Sequence, residues 1–326
     1  MKPTIYVTRR LPQPALDRLA EVFEVEVNPE DRVLTKDEII EHVRGRDALL
    51  CLLTDTIDAE IMDAEPKLRV LSNYAVGYNN IDVEAATARG LPVTNTPGVL
   101  TETSADLAFA LILAAARRLV EGDRMTRAGE FDGWGPMMLL GYDVYGKTLG
   151  IVGMGRIGTA VARRAVGFNM RILYANRSDR PEVEKELGAK KVPLDTLLRE
   201  SDFVSIHVPL TEETTHLIGS RELELMKPTA FLINTARGPI VDENALVAAL
   251  REKRIAGAGL DVYEREPELE PGLAELDNTV LLPHIGSATI ETRTKMAMLA
   301  AENAIAVIEG RRPLHIVNPE VLEASS

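Results

Sequence analysis

Three side chains with distinct chemistry each follow a different apolar run that predicts a β-strand. They are Arg237, Glu266 and His284. A guanidinium binds a carboxylate through paired hydrogen bonds, and an imidazole exchanges a proton near neutral pH. A carboxylate beside the imidazole favours the protonated ring. The set predicts a site that holds a small anionic substrate and moves a proton, although each residue alone is also typical of a polar loop.

A glycine-rich turn, GMGRIG at residues 153–158, precedes these residues in the chain. An apolar run at 148–152 predicts a strand before the turn, and residues 157–164 predict a helix after it. The glycine spacing alone is weak evidence, but this strand–turn–helix context is typical of a dinucleotide pyrophosphate site at a helix N-terminus. A tight turn without a ligand is the alternative interpretation.

The residue that follows the next predicted strand indicates which dinucleotide would bind. An acidic residue about 20 positions after the glycines usually binds the ribose 2′-OH of NAD. Here that position holds Asn176, and Arg177 and Ser178 follow it. A neutral amide followed by a guanidinium and a hydroxyl would accept a 2′-phosphate, which predicts NADP(H), with NAD(H) as the alternative. Asp179 argues mildly against this preference, and solvated arginines are a further interpretation.

Two stretches of alternating apolar runs and amphipathic segments must position these residues. They predict α/β architecture with parallel sheets. Strands are expected at 5–7, 23–27, 48–53, 69–72, 149–152, 171–174, 203–206, 231–234, 257–260 and 280–282. Helices are expected at 15–22, from a capping box at Thr35 through 43, from an Asp58 cap through 64, and at 82–89, 101–119 and 291–309, with an extended end at 317–319.

The predicted helix at 101–119 is apolar on nearly every side, which indicates burial in a core or between subunits. A membrane span is disfavoured because Asp106 and Arg117 bound too short an apolar run.

Composition restricts the class of protein. The chain has 326 residues, 45% of them hydrophobic, a formal net charge of −13 and one cysteine, Cys51. Its length suits two domains, and its negative charge without a basic run disfavours nucleic acid as a partner. We expect no internal disulfide, no metal site, no membrane partner and a cytoplasmic location. A single glutamine, Gln13, hints at a thermophilic source.

Five motifs together resemble a known family. They are SNYAVGYNNID at 72–82, GMGRIG at 153–158, NTARG at 234–238, GLDV at 259–262 and LPHIGSA at 282–288. The sequence resembles the D-isomer-specific 2-hydroxyacid dehydrogenases over essentially its whole length, and within them the glyoxylate/hydroxypyruvate reductases. The resemblance implies two doubly wound parallel-sheet α/β domains. A Rossmann cofactor domain at 100–287 would be inserted within a flavodoxin-like substrate domain formed by 1–99 and 288–326.

The resemblance also implies roles for single residues. Arg237 would bind the substrate carboxylate, His284 would be the acid/base, and Glu266 would orient His284. Val76 and Gly77 would offer backbone N–H groups to the same carboxylate.

Further substrate contacts are predicted from position. Leu52 and Asn73 follow strand ends and are expected to border the substrate. Trp134 lies in an arm that would reach the partner subunit's active site in a homodimer, and packing within the dimer interface is the alternative.

The cofactor contacts are predicted as one set. They are Thr103, Gly153, Met154, Gly155, Arg156, Ile157, Gly158, Asn176, Arg177, Ser178, His207, Pro209, Thr235, Ala236, Arg237, Asp261, His284 and Gly286. Within this set His207 is expected to have a structural or adenosine-side role rather than a chemical one.

The implied activity is reduction of glyoxylate, and of hydroxypyruvate, by hydride transfer from NADPH, with His284 as proton donor. Alternatives are another dehydrogenase of the family, of the phosphoglycerate or D-lactate type, and a nucleotide-sensing corepressor with this fold. Formate dehydrogenases are disfavoured because they pair glutamine with the histidine, where this chain has Glu266. Phosphite dehydrogenases carry a lysine where this chain has Val76.

Overall fold

The computed structural model describes residues 2–323. Contacts between residues divide the chain into two compact units. The first unit contains the chain up to Leu100 and from Ala288 onward, and the second is Thr101–Ser287.

Twelve β-strands are found among the described residues. They are β1 (Thr4–Val7), β2 (Glu24–Val27), β3 (Ala48–Leu52), β4 (Val70–Tyr74), β5 (Val93–Thr94), β6 (Thr148–Val152), β7 (Arg171–Ala175), β8 (Lys190–Lys191), β9 (Phe203–Ile206), β10 (Phe231–Asn234), β11 (Gly257–Leu260) and β12 (Thr279–Leu281).

Thirteen α-helices accompany them within the same part of the chain. They are α1 (Gln13–Val22), α2 (Lys36–Val43), α3 (Ala59–Ala64), α4 (Val83–Ala88), α5 (Thr101–Ala116), α6 (Leu119–Arg127), α7 (Arg156–Gly167), α8 (Pro181–Leu187), α9 (Leu194–Glu200), α10 (Ser220–Leu225), α11 (Glu243–Arg251), α12 (Ile290–Ile308) and α13 (Glu320–Glu323).

The first unit is a five-stranded sheet in the order β2-β1-β3-β4-β5, and every pair is parallel. This is the flavodoxin-like doubly wound order. One apolar layer packs α1 and α12 on one face, and a second layer, which includes Ile39, Ile61 and Ala86, packs α2, α3 and α4 on the other. The predicted capping box at Thr35 and the Asp58 cap are both present.

The second unit is a seven-stranded parallel sheet in the order β12-β11-β10-β9-β6-β7-β8. Counted from β6, this is the Rossmann order with one additional strand. The helix α5 lies close against the sheet because Gly259 has no side chain, and a Cβ there would be 3.1 Å from Cβ of Leu111. The predicted fold class, a Rossmann domain inserted within a flavodoxin-like domain, is confirmed.

Several predicted boundaries are wrong. The strands β5 and β8 were not predicted because two residues are too few to show a pattern.

The predicted helix at 101–119 ends at Ala116, since Arg118 adopts a left-handed φ of 52° and a separate helix, α6, begins at Leu119. Ala110 on α5 is exposed, so this helix is not buried on every side by its own unit. The extended segment near Asn318 is followed by the short helix α13.

None of the described helices combines the length and the apolar character that crossing a membrane would require.

Candidate active site

The strands β10, β11 and β12 are adjacent and parallel, so the loops that follow them leave the sheet at one edge. These loops carry Arg237, Glu266 and His284. The Nδ1 atom of His284 lies 2.8 Å from Oε2 of Glu266. Arg237 is near enough to act electrostatically on Glu266. The structure therefore brings together the three residues that the sequence predicts as the reacting set.

The carboxylate of Glu266 is held from two sides. The backbone N–H of Tyr263 donates to Oε1 at 3.0 Å, while Oε2 faces the ring of His284. Burial alone would raise the pKa of Glu266, but the hydrogen bond and charge of His284, the N–H of Tyr263 and the charge of Arg237 outweigh it, so the pKa is lowered. An ionised Glu266 accepts a hydrogen bond from Nδ1–H of His284, which leaves Nε2 of the ring for proton exchange.

The loop that bears His284 is fixed by Asp261. Both carboxylate oxygens of Asp261 accept backbone N–H groups, from Ile285 and from Gly286, each at 2.7 Å. Asp261 has no exposed surface, and His284 itself has a left-handed φ of 55°. A strained backbone at a functional residue needs such restraint. The sequence predicts Asp261 as a cofactor contact but does not predict this anchoring role, which only the fold reveals.

The loop that bears Arg237 is fixed by Asn234 and by a close contact. The side chain of Asn234 donates to the carbonyl of Arg237 at 2.9 Å and accepts from the N–H of Ala236 at 3.0 Å. A Cβ at Gly238 would lie 1.9 Å from the carbonyl carbon of Tyr263, so only glycine allows the two loops to touch. Burial lowers the pKa of Arg237 and the charge of Glu266 opposes this. A guanidinium remains charged in either case.

The predicted dinucleotide turn has the steric features that such a ligand requires. Gly153 has a φ of 99°, and a Cβ there would lie 2.7 Å from the backbone of His207. A Cβ at Gly158 would lie 2.2 Å from the carbonyl oxygen of Gly153, whereas one at Gly155 would meet no atom within 4 Å. The helix α7 has no side-chain cap at its N-terminus. Free N–H groups beside open space fit a pyrophosphate.

The polar and charged side chains that follow β7 have different partners within the protein. The amide of Asn176 donates to the carbonyl of Ser178 at 2.9 Å. The Arg177 side chain is 87% exposed, with the carboxylate of Glu213 3.6 Å away. Asp179, which argued against a 2′-phosphate, is paired with Lys191 at 2.6 Å. The negative charge of Asp179 is therefore compensated within the protein.

Two further predicted cofactor residues have distinct environments. His207 shares a hydrogen bond with Ser205 at 2.8 Å, and burial lowers its pKa to about 4. The ring is therefore neutral at pH 7, which agrees with a structural rather than an acid role. The hydroxyl of Thr235 is buried without a hydrogen-bond partner among the described residues. A bound ligand would satisfy this atom.

The remaining predicted cofactor residues of the second unit differ in exposure, and their roles stay predictions. Met154 is buried, Thr103, Ile157 and Ala236 are half-buried, and Arg156 and Pro209 are exposed. Trp134 is 83% exposed, and its role at a partner subunit likewise stays a prediction.

At the edge of the first sheet, Asn73 has hydrogen-bond partners within the protein. Asn73 has no exposed surface, and its amide donates to the carbonyl of Gly77 at 2.9 Å and to Oδ1 of Asn80 at 3.2 Å. The amide of Asn80 donates in turn to the carbonyl of Leu52 at 3.0 Å. Asn73 therefore supports the turn at Gly77, and its contact with a substrate stays a prediction. Asn80 was missed, although it belongs to the motif at 72–82.

Val76 and Gly77 are half-buried, and Leu52 is half-buried at the end of β3. Their contacts with a substrate stay predictions.

The described residues contain no group of three or more His, Cys, Asp or Glu side chains placed to hold a metal ion.

A Rossmann sheet with an open glycine turn, and an arginine, a glutamate and a histidine at its carboxyl edge, define a dinucleotide-dependent dehydrogenase. Comparison with known proteins specifies the family. The sequence model described as "D-isomer specific 2-hydroxyacid dehydrogenase, NAD binding domain" matches residues 109–286. The chain belongs to this family, as its motifs predict.

Similar proteins cover the whole chain. A glyoxylate reductase of Korarchaeum cryptofilum is 58% identical over 325 residues, which is 99% of this chain and 98% of that protein. A glyoxylate reductase of Pyrococcus furiosus is 54% identical over 327 residues, 99% of this chain and 97% of that protein. The crystal structure of an NADPH-dependent glyoxylate/hydroxypyruvate reductase from Sinorhizobium meliloti, with NADP and malonate, has a TM-score of 0.86 at 36% identity and covers 97% of both chains.

Proposed function

We propose that this protein reduces glyoxylate, and also hydroxypyruvate, to the corresponding 2-hydroxy acid with NADPH as reductant. The observation that carries the proposal is the 2.8 Å contact between Nδ1 of His284 and Oε2 of Glu266 beside Arg237. Glyoxylate reductases that match along nearly their full length support the choice of substrate. The Sinorhizobium meliloti structure with NADP and malonate supports both a phosphorylated dinucleotide and a small carboxylate ligand.

Each side chain has a defined part in the proposed reaction. When bound, the nicotinamide supplies a hydride to the carbonyl carbon of the 2-oxo acid. Arg237 binds the substrate carboxylate through its guanidinium and fixes the orientation of the carbonyl. The carbonyl oxygen gains negative charge and takes the proton from Nε2 of His284. Glu266 stabilises the protonated ring and restricts its rotation through the Nδ1 hydrogen bond.

Steady-state kinetics with glyoxylate, hydroxypyruvate and pyruvate, each with NADPH and with NADH, tests the substrate and the cofactor together. We expect the highest kcat/KM with glyoxylate and NADPH. Turnover confined to another 2-oxo acid would assign the protein to a different dehydrogenase of the family. Tight nucleotide binding without turnover of any acid would instead favour a nucleotide-sensing protein.

A substitution at the end of β7 tests the NADPH preference separately. Asn176→Asp places a carboxylate where a 2′-phosphate would lie, and should lower kcat/KM for NADPH about tenfold or more relative to NADH. Asp179→Asn is the matched control, because Asp179 is already paired with Lys191 and should matter little. A wild-type protein that strongly prefers NADH would overturn the proposal.

We also propose a homodimer formed through the second unit. Seven of the twelve exposed large hydrophobic residues among those described fall between 119 and 145: Leu119, Phe131, Trp134, Met137, Leu140, Tyr142 and Tyr145. Exposed apolar side chains concentrated in one segment of the chain are typical of an interface. Sedimentation equilibrium at micromolar concentration should give a dimer, and a monomer there would refute this assignment.

Heat stability is a further proposal, as is a cytoplasmic location. Arg164 bridges α7 to α5 by pairing with both Glu102 and Asp106, at 2.9 and 2.6 Å. Networks of this kind are typical of thermophilic proteins. The midpoint of thermal unfolding should exceed the range of about 45–65 °C that is usual for mesophilic domains.

A further inference from the structure

A buried carboxylate outside the reacting set joins the two loops that carry Arg237 and Glu266. Glu243, the first residue of α11, is only 2% exposed. Its Oε1 atom accepts the backbone N–H of Glu264 at 2.9 Å. In return, Oε2 of Glu264 accepts the backbone N–H of Glu243 at 3.4 Å. The two loops are thus connected by a reciprocal pair of hydrogen bonds.

This connection lies next to the backbone that orients the histidine. Residue 264 directly follows Tyr263, whose N–H holds Oε1 of Glu266, and the other oxygen of Glu266 holds His284. On the opposite side, Gly238 touches the carbonyl of Tyr263 one residue after Arg237. A displacement of residue 264 would therefore move Glu266 and His284 relative to Arg237.

Burial of the Glu243 carboxylate costs free energy of folding, because a carboxylate is better solvated in water. The pKa of Glu243 is raised to about 7, first by burial and also by the charges of Glu264 and Glu270. The N–H of Glu264 and the charge of Arg265 oppose this rise in the pKa. Asp242 already caps α11 by accepting the N–H of Ala245 at 3.0 Å, so the helix does not need a second acid there for its cap. The other carboxylate oxygen of Glu264, Oε1, lies within hydrogen-bonding distance of Nε2 of His216, at 2.8 Å.

We propose that Glu243 is a positioning residue for the reduction: by holding the backbone at Glu264 it sets the placement of the Glu266–His284 pair relative to Arg237. The proposal rests on the function proposed above. It predicts that kcat depends on the length of the side chain at position 243 and on its ability to accept a hydrogen bond. It also predicts that kcat does not depend on the negative charge of this side chain.

Three variants separate these properties. Glu243→Ala removes the acceptor and should lower kcat with glyoxylate about tenfold or more, as expected when a buried hydrogen bond is lost and catalytic groups shift. Glu243→Gln keeps an oxygen at the same reach and should stay within about threefold of the wild type. Glu243→Asp keeps the charge but shortens the side chain, so it should resemble Glu243→Ala. The dissociation constant of NADPH should change less than about twofold in each, because the glycine turn follows β6, two strands from β10.

Asp202→Ala is the matched control for a general loss of stability. Asp202 accepts the N–H of Thr148 at 2.9 Å and pairs with Lys227 at 2.8 Å at the opposite edge of the same sheet. This variant should unfold at a lower temperature and keep its kcat. An unchanged kcat in Glu243→Ala, or equal losses in Glu243→Gln and Glu243→Ala, would overturn the proposal while leaving the reductase activity in place. If Glu243→Ala does not fold, the contrast between Glu243→Gln and Glu243→Asp decides.

Amide hydrogen exchange provides a readout that does not need turnover. The peptide that contains Tyr263 and Glu264 should exchange faster in Glu243→Ala and Glu243→Asp than in the wild type, and Glu243→Gln should not differ. Equal protection in all variants would overturn the proposal. A wild type that reduces no 2-oxo acid would refute the proposed function instead, with this exchange result still measurable.

Discussion

The two parallel sheets carry different chemical groups at their carboxyl edges. At the edge of the seven-stranded sheet lie three ionisable side chains, Arg237, Glu266 and His284, which are compensated by one another and by backbone N–H groups. At the edge of the five-stranded sheet lie two neutral amides, Asn73 and Asn80, whose hydrogen bonds go to backbone carbonyls or to each other. Both edges are built by the same doubly wound topology.

The difference separates two tasks. Moving a proton and stabilising a developing negative charge require groups that carry charge, and these must be paired to remain charged when partly buried. Shaping a backbone turn requires only hydrogen bonds, and neutral amides provide them without desolvating a charge. Substitutions at the two edges should therefore affect different kinetic parameters.

The largest expected effect is at His284. Removal of the proton donor in His284→Ala should lower kcat by about 10²–10⁴-fold, while the dissociation constant of NADPH stays close to that of the wild type. Steady-state kinetics and a fluorescence titration of NADPH measure the two quantities. His42→Ala in the first unit is the control, since this ring stacks on Tyr6 away from the edge. Near-normal turnover in His284→Ala would show that His284 is not the proton donor of the reaction.

A second large effect is expected at Arg237. Loss of its charged hydrogen bonds to the substrate carboxylate in Arg237→Ala should lower kcat/KM for glyoxylate about 100-fold, mostly through KM. Arg221→Ala is the matched control, because Arg221 pairs with Asp195 and Glu222 on the surface. If both variants had the same KM for glyoxylate, Arg237 would not be the carboxylate site.

The neutral edge should respond differently. Asn73→Ala leaves the carbonyl of Gly77 without its amide donor, so the turn should loosen and KM for glyoxylate should rise about tenfold with kcat at saturation retained. The free energy of unfolding should fall by about 1–3 kcal/mol. Asn278→Ala, which removes a comparable amide bound to two carbonyls in the other unit, is the control for stability alone. A fall in kcat with unchanged KM would contradict the division of tasks.

The smallest effect on activity is expected at His207, which lies at the charged edge but is held neutral. Burial lowers the pKa of His207 to about 4 in the folded protein, whereas an exposed imidazole has a pKa of about 6.5. The unfolded chain therefore binds the proton first, and stability falls as the pH is lowered from 6.5 towards 4, by at most ~1.4 kcal/mol for each unit of pKa difference.

His207→Asn should remove this share of the acid sensitivity. Urea midpoints at pH 7.5 and pH 5 measure it for both proteins. Identical losses of stability on acidification in the wild type and the variant would mean that His207 is not the group responsible.

Local patterns were sufficient to predict most elements. The capping residues Thr35 and Asp58 begin helices where expected, because a cap is a contact between residues two or three positions apart. The strand β8 was missed because it is only two residues long and pairs beside β7 through tertiary contacts. The sequence did not predict that the amide of Asn73 holds the turn at Gly77, because a position near the end of a strand does not reveal which groups the side chain faces.

The sequence by itself determined the α/β architecture and the glycine-rich turn, and the resemblance of its five motifs to a known family implied the two-domain fold class. Each depends on spacing within a short segment, where the periodicity of apolar residues and the lack of a side chain at glycine act locally. The resemblance implied that Glu266 orients His284, but only the tertiary structure decided which atoms meet: Nδ1 of His284 with Oε2 of Glu266, Asp261 with the loop after Pro283, and Glu243 with Glu264. These contacts join residues about 20 positions apart, and the order of β10, β11 and β12 in the sheet, not their spacing in the chain, brings them within hydrogen-bonding distance.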